Sequence, residues 1–472
     1  MIDLSLAEIA AAVGGRLRGG ADPDALVTDV VVDSREVTPG ALFVALPGSR
    51  TDGHAYVNDA IAAGAVAVVT AADVDAPAVT ADDTLVALGR LAAAAIRAVP
   101  DLRVVGITGS NGKTTTKDLV STVLSDLGPT VAAPASYNGE VGLPLSALRT
   151  NAETKYLVLE YGARAVGHIR RLAGIARPDV GVVLGVGVAH VGVFGSVEAI
   201  ATAKGELVES LPAQGLAVLN ADDAVVMAMR QRTSARVRTF GRHGDADVRA
   251  DDVALDGKGR AAFMLNADGE NARVQLQLYG EHQVGNALAA AAVALEHGMS
   301  VEATAAALSV AAPASRWRME VVETPDGVTL INDAYNANPG SVAAALRALA
   351  EMGGDPPWRA RHGDRRRTWA VLGPMAELGD WTDQAHEEAG ALAVECRIER
   401  IVAVGVDASR IVDGAIAAGA APGRADRVPD VAAAVDLLRS QLTTGDVVLI
   451  KASRSAGLER IAAALTAGSV PA

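Results

Sequence analysis

"GITGSNGKTTTKD", residues 106–118, decides how the rest of the chain is read. A phosphate-binding loop carries a glycine, four further residues and then Gly-Lys-Ser/Thr, after a strand and before a helix. Gly112, Lys113 and Thr114 supply the second half, but counting back five places from Gly112 reaches Ile107, with Gly106 and Gly109 on either side. The surroundings are nevertheless those of such a loop. Val104 and Val105 end an apolar run, Gly106 to Gly112 form a turn, and Leu119, Val120, Val123, Leu124 and Leu127 fall on one helical face before Gly128-Pro129 stops the pattern. Gly109, Ser110, Asn111, Gly112 and Thr115 then bring backbone N–H groups and a helix N-terminus to phosphate oxygens. Lys113 adds a point charge and Thr114 a hydroxyl able to ligate Mg²⁺. The bland alternative, a tight glycine turn with a capping threonine, is weakened by strand, loop, lysine and helix standing in that order.

Outward from the loop, strand-like and helical stretches alternate. The 472 residues predict roughly two to four domains. "VTDVVVD", "ALFVAL" and "AVAVVT" with helical stretches over 52–63 and 83–98 make a small α/β unit, placed at 1–98. A new strand begins after Pro100-Asp101, and "YLVLE", "VGVVLGVG", "LAVLN" and "VRTF" follow within 99–313, where 248–279 alternates like a small antiparallel ribbon. After Pro313, "VTLIND", "TWAVLG", "RIVAVG" and "DVVLIKA" each precede a helical stretch, giving a third unit at 314–472. Alternation of this kind predicts mostly parallel sheets. The Pro- and Arg-rich stretch 353–367 reads as a solvated loop insertion.

A formal charge of −14 argues against nucleic acid as a bulk partner, because a phosphate backbone is held by excess Lys and Arg. A single cysteine, Cys396, excludes an internal disulfide and fits a reducing compartment. The start has no basic region followed by an apolar core, and the most apolar run, 180–194, is short and interrupted by His190, so a soluble cytoplasmic protein without a membrane span is expected. Of 42 basic residues only six are lysines, at 113, 117, 155, 204, 258 and 451. Lysine differs from arginine in having an amine that can lose its proton and react. Lys117, Lys155 and Lys258, in polar surroundings, read as solvated charges, whereas Lys113, Lys204 and Lys451 stand near strand ends or helix starts. Lys451 is either a cleft residue or a surface charge.

Parallel sheets gather ligands at the carboxyl ends of their strands. "YLVLEYGA" puts Glu160 at such an end, as a solvated acid or a metal ligand, and His190 lies just past another. Lys204, inside the helical stretch "GSVEAIATAKGELV", is either an ion-pair partner on a helix surface or a neutral amine able to take up CO₂ as a carbamate, an anion that a metal site would need.

Taken together, "GITGSNGKTTTK", "EYGA", "AHVGVFGSVEAIATAKGE", "LNADD" and "GEHQVGNALAAAAVA" resemble the Mur ligases, ATP-dependent enzymes of peptidoglycan precursor synthesis. "SRWRMEV", "INDAYNANPGS", "VLGPMAELG" and "IKASRSAGLERI" resemble the member that adds D-alanyl-D-alanine to UDP-N-acetylmuramoyl-tripeptide. The resemblance covers essentially the whole chain. It implies a small N-terminal UDP-binding α/β domain, a central P-loop ATPase domain and a C-terminal Rossmann-like domain. It implies that Lys113 holds the β- and γ-phosphates, that Thr114 and Glu160 bind one Mg²⁺, and that His190 and a carbamylated Lys204 bind a second. Asn286 would lie near the adenine, unless it caps its helix. Arg318, Asp333, Tyr335, Asn336 and Asn338 would close over ATP, while Ser34, Arg35 and Asn138 would face the UDP substrate. The partners implied are small molecules, and a monomer is the plain expectation. Pro374 stands where the family suggests an acid, Gln283 where asparagine is common, and the "DNPR" signature of the diaminopimelate-adding relative is absent. Rival readings are another Mur ligase, a folylpolyglutamate synthetase or, in a different class, a regulatory P-loop nucleotide-binding protein.

Overall fold

The computed structural model describes residues 3–48, 51–189, 191–354 and 356–467. Among these residues the chain forms α/β units around three large sheets. In the first, the strands Arg16–Arg18, Ala78–Thr80, Ala67–Thr70, Ala41–Val44 and Asp29–Val31 lie side by side, parallel except for the first pair. The helix Thr84–Ala98 starts where the Asp83 carboxylate accepts a hydrogen bond from Val86 N, one of the donors a helix start leaves unpaired. Its Leu88, Leu91, Ala92 and Ala95 are buried in a core shared with Leu143, Ala147, Ile169 and Leu172 of the next unit. That shared apolar layer fixes the first unit on the second.

The central sheet has nine strands. Its parallel part runs, in spatial order, Arg236–Gly241, Leu216–Asn220, Val180–Val183, Arg103–Thr108, Tyr156–Glu160, Thr130–Ala132. The stretch 248–279 extends it as the ribbon Val248–Leu255, Arg260–Ala267, Glu270–Tyr279, antiparallel within itself. Behind the sheet lies the alanine-rich helix Gln283–Glu296, with Ala287 and Ala289–Ala292 fully buried. Alanine side chains let this helix approach the phosphate-loop helix Lys113–Ser125 and the sheet closely, and it has little solvent face to keep polar.

The third sheet orders Glu320–Glu323, Thr329–Asn332, Val447–Lys451, Thr368–Leu372, Arg400–Val404 and Ala425–Val428, parallel except for the first pair. Its largest buried side chain, Trp369, donates to Asp446 at 3.1 Å and lies under the guanidinium groups of Arg367 and Arg400.

Residues 353–367 are in part the solvated stretch expected, with 359–365 exposed, but they are not simply a loop. The helix Pro339–Gly353 runs into this stretch, a second helix spans Pro356–His362, and the arginines that follow are tied down. Arg365 donates to Ala350 O at 2.9 Å, Arg366 to Gly445 O at 2.7 Å, and Arg367 pairs with Asp446 at 2.6 Å. The ring of Trp358 stacks on His362 with centroids 3.7 Å apart. A guanidinium satisfies carbonyls at element ends while its stem packs, so composition alone misreads such a segment.

Candidate active site

The central and C-terminal sheets direct strand carboxyl ends toward one cavity of about 1030 Å³ between their units. Gly112 opens the phosphate-loop helix at φ +83°, and a Cβ there would stand 2.4 Å from Asn286 Oδ1. Both facts require glycine. Lys113 Nζ donates to Gly109 O at 2.7 Å, and burial pushes its pKa down while the Glu160 carboxylate pulls the other way. Ser110 is fixed by its hydroxyl, which accepts from Gly187 N at 2.9 Å. Asn286 does not cap its helix. It accepts from Thr116 Oγ1 at 3.2 Å and donates to Gln283 Oε1 at 2.8 Å, bracing the phosphate loop from behind.

Glu160, at the end of its strand, is fully buried. Among the described residues Oε2 accepts a 3.4 Å contact from Asn138 Nδ2, and Oε1 has no hydrogen-bond partner. Burial raises its pKa, with Lys113 and Arg318 opposing that shift. The Thr114 hydroxyl lies 2.7 Å from Ser136 Oγ, a residue the sequence reading missed. Arg318 reaches across from the C-terminal unit to both, at 3.2 Å from Thr114 Oγ1 and 2.9 Å from Ser136 Oγ. Its guanidinium also lies 4.2 Å from the Tyr335 ring centroid. Trp317 and Met319 flank it in the left-handed region, at φ +59° and +50°. Such backbone costs on the order of 1–3 kcal/mol per residue and persists only where neighbours impose it. Here Trp317 N is held by Glu320, and Met319 N by Asp333. Asn338 caps the helix Pro339–Gly353 through Ser341 N and donates to Asn111 Oδ1 at 2.7 Å, a second contact between the units.

The rare lysines separate here. Lys204, on the helix Val197–Glu209, is buried and makes no hydrogen bond among the described residues, and burial together with Lys113 pushes its pKa well down. The nearby Glu206 is engaged elsewhere, accepting from Gly167 N and Arg170 N. Lys451, at the end of its strand, is also buried but donates to Asp333 at 2.5 Å and to Asn336 O at 2.9 Å, so it faces the cleft and is no surface charge. Lys117 corrects the expectation of a solvated charge: it is 3 % exposed, donating to Ala133 O at 2.6 Å and pairing with Asp118 at 2.7 Å. One helical turn beyond Lys113, it faces the crossing segment 133–135, which sequence neighbours do not reveal. Lys155 and Lys258 are exposed, as expected. His190 lies outside the described residues.

The sequence matches the family descriptions of the Mur ligase catalytic domain over 26–100, the Mur ligase middle domain over 107–294 and the Mur ligase glutamate ligase domain over 317–454. A UDP-N-acetylmuramoyl-tripeptide--D-alanyl-D-alanine ligase of Mycobacterium bovis is 46% identical over 99% of this chain and 98% of that relative. The chain belongs to the Mur ligase family. An Escherichia coli ligase of the same description is 33% identical over 98% of this chain and 99% of its own length. Among solved structures, MurF from Acinetobacter baumannii superposes with a TM-score of 0.87 at 30% identity, covering 98% of this chain and 99% of its own. MurF from Thermotoga maritima in complex with ADP gives 0.78 at 29%, covering 93% and 97%.

Against the Mur ligase pattern, Gln283 keeps an amide in place: it is buried, accepts from Asn286 and contacts His282 Nε2 at 3.1 Å. Pro374 offers no carboxylate, but its carbonyl accepts from Ser453 N at 3.0 Å, so the turn it occupies is tied to the strand end beside Lys451. Ser34 and Arg35 stand apart from the cavity in a single 3₁₀ turn capped by Asp33. The Arg35 hydrogen bonds hold the Asp33 carboxyl down to about 2. Among the described residues no helix is long and apolar enough to cross a membrane.

Proposed function

We propose that this chain is the ATP-dependent ligase that joins D-alanyl-D-alanine to UDP-N-acetylmuramoyl-tripeptide through an acyl phosphate, with ADP and phosphate as the other products. The observation that carries the reading is the meeting of a phosphate loop, a buried carboxylate and a reaching arginine across two units. Lys113 and the loop amides would bind the β- and γ-phosphates. Arg318 would lie over the transferring group, where developing charge is largest. The terminal carboxylate of the tripeptide attacks the γ-phosphorus, and the free amine of the dipeptide then attacks the acyl carbon and expels phosphate. With the C-terminal unit seated on the loop through Arg318 and Asn338, water that would hydrolyse the acyl phosphate is kept out. Asp333, Tyr335 and Asn336 would border ATP from that unit, Asn286 would support the loop near the base, and Ser34, Arg35 and Asn138 would serve the UDP substrate.

The residues fit a hard divalent cation. Glu160 Oε1 is buried without a partner beside the Thr114 and Ser136 hydroxyls, oxygen donors of the kind Mg²⁺ takes together with phosphates. Thr114, Glu160 and Ser136 would hold a first Mg²⁺, whose charge would offset that of the phosphates. His190 and Lys204 as a carbamate would hold a second. Burial pushes the Lys204 amine well down from its ordinary pKa, so it gives up its proton more readily, and the neutral amine adds CO₂ and loses one proton to give the carbamate anion. The three units divide near 98/99 and 313/314, and the enzyme acts as a cytoplasmic monomer.

Sustained ADP release over many turnovers should require tripeptide substrate and D-alanyl-D-alanine together. Sustained release with a single amino acid or glutamate in place of the dipeptide would overturn the substrate assignment, and sustained release without tripeptide substrate or amine would favour a regulatory NTPase.

A further inference from the structure

The proposed acceptor is a zwitterion: its amine must be free to react, so its recognition depends on the carboxylate at its other end. Three cationic residues of the C-terminal unit line the cavity, Arg318, Lys451 and Arg454. Arg318 is engaged at the phosphate loop and Lys451 by Asp333. Arg454 follows the strand Val447–Lys451 by three residues and is about half exposed. Its guanidinium lies 4.3 Å from the centroid of Trp317, whose left-handed backbone turns the ring into place, and Nη1 donates to Glu459 at 2.6 Å. No other hydrogen bond of that guanidinium is present among the described residues. One face and one corner are therefore fixed, and the remaining N–H groups are left in a defined orientation at the cavity wall. A held guanidinium loses less freedom on binding a carboxylate, and its fork matches the two oxygens.

We propose that Arg454 is the specificity-determining residue that binds the C-terminal carboxylate of the dipeptide acceptor, with Trp317 and Glu459 as its positioning residues. The inference rests on the ligase reading given above. The competing cation is Arg164, which lines the cavity from the central unit and pairs with Glu377 at 3.3 Å.

The test compares D-alanyl-D-alanine with its C-terminal amide as acceptor, in the full-length enzyme and in Arg454→Met, Arg454→Lys and Arg164→Met. The wild type should prefer the free acid. Arg454→Met should raise KM for the dipeptide about ten- to a hundredfold, leave KM for ATP and the tripeptide substrate within about twofold, and bring the acid-to-amide preference toward one. Arg454→Lys should recover part of that preference, as a general loss of packing would not. Wild-type preference retained in Arg454→Met, or lost only in Arg164→Met, would overturn the assignment while leaving the ligase reading intact. A wild type that uses neither acceptor would overturn both.

Discussion

Lys204 and Lys451 are buried in the wall of one cavity, the first on a helix of the central unit and the second at the end of a C-terminal strand. Lys451 has a carboxylate, Asp333, at 2.5 Å, and Lys204 has no hydrogen-bonding partner among the described residues. A buried ammonium is costly unless paired. The paired lysine therefore serves as a strut under Asp333 and Asn336, whereas the unpaired one is held toward its neutral, reactive form. Burial by itself does not assign a role; the partner does.

Substitutions at the two lysines can break that contrast. The largest effect is expected for Lys204→Ala: ligation should fall by about a hundred- to a thousandfold, a loss typical of removing a central electrostatic group, while nucleotide binding measured by calorimetry persists. Near-normal turnover would end its chemical role. Gly112→Ala should come next, abolishing nucleotide binding in the same titration, because the new methyl group meets Asn286 Oδ1 and the φ of +83° is unfavourable for alanine. Lys451→Met leaves the Asp333 carboxylate without its ion-pair partner and should cost about 3–5 kcal/mol of stability in denaturant unfolding. Lys204→Met should act with the opposite sign in CO₂-free buffer. The folded pKa of Lys204 is well below 10.5, so between that lowered value and 10.5 the unfolded chain binds the extra proton and stability rises with pH. Removing the amine relieves that penalty, so the variant should melt above the parent at pH 7, with the gap closing toward pH 10.5; a lower melting point would show that Lys204 is paired. Lys155→Met, at an exposed site, should change stability by no more than about 0.5 kcal/mol.

Much of this was legible locally. The phosphate loop and the alternation of strands and helices are written in short-range patterns, and Glu160 and Lys451 were found because strand ends can be counted. Ser136 was missed because its segment was read for Asn138 alone, and the serine gains meaning only where that segment crosses the loop helix. Lys117 was misjudged for the same reason, since its partners at Ala133 and Asp118 are partly set by that crossing. Arg366 and Arg367 read as solvated because their acceptors at Gly445 and Asp446 lie on a turn far along the chain. Ser34 and Arg35 remain outside the shared cavity, in a unit whose motifs are short and whose ligand contacts no local pattern fixes.

In the proposed reaction ATP activates a carboxylate. With tripeptide substrate labelled by ¹⁸O in its terminal carboxyl group, D-alanyl-D-alanine and ATP, one ¹⁸O per turnover should appear in the released phosphate, because the oxygen that attacks phosphorus leaves with it. Phosphate whose new oxygen comes from solvent water would contradict it.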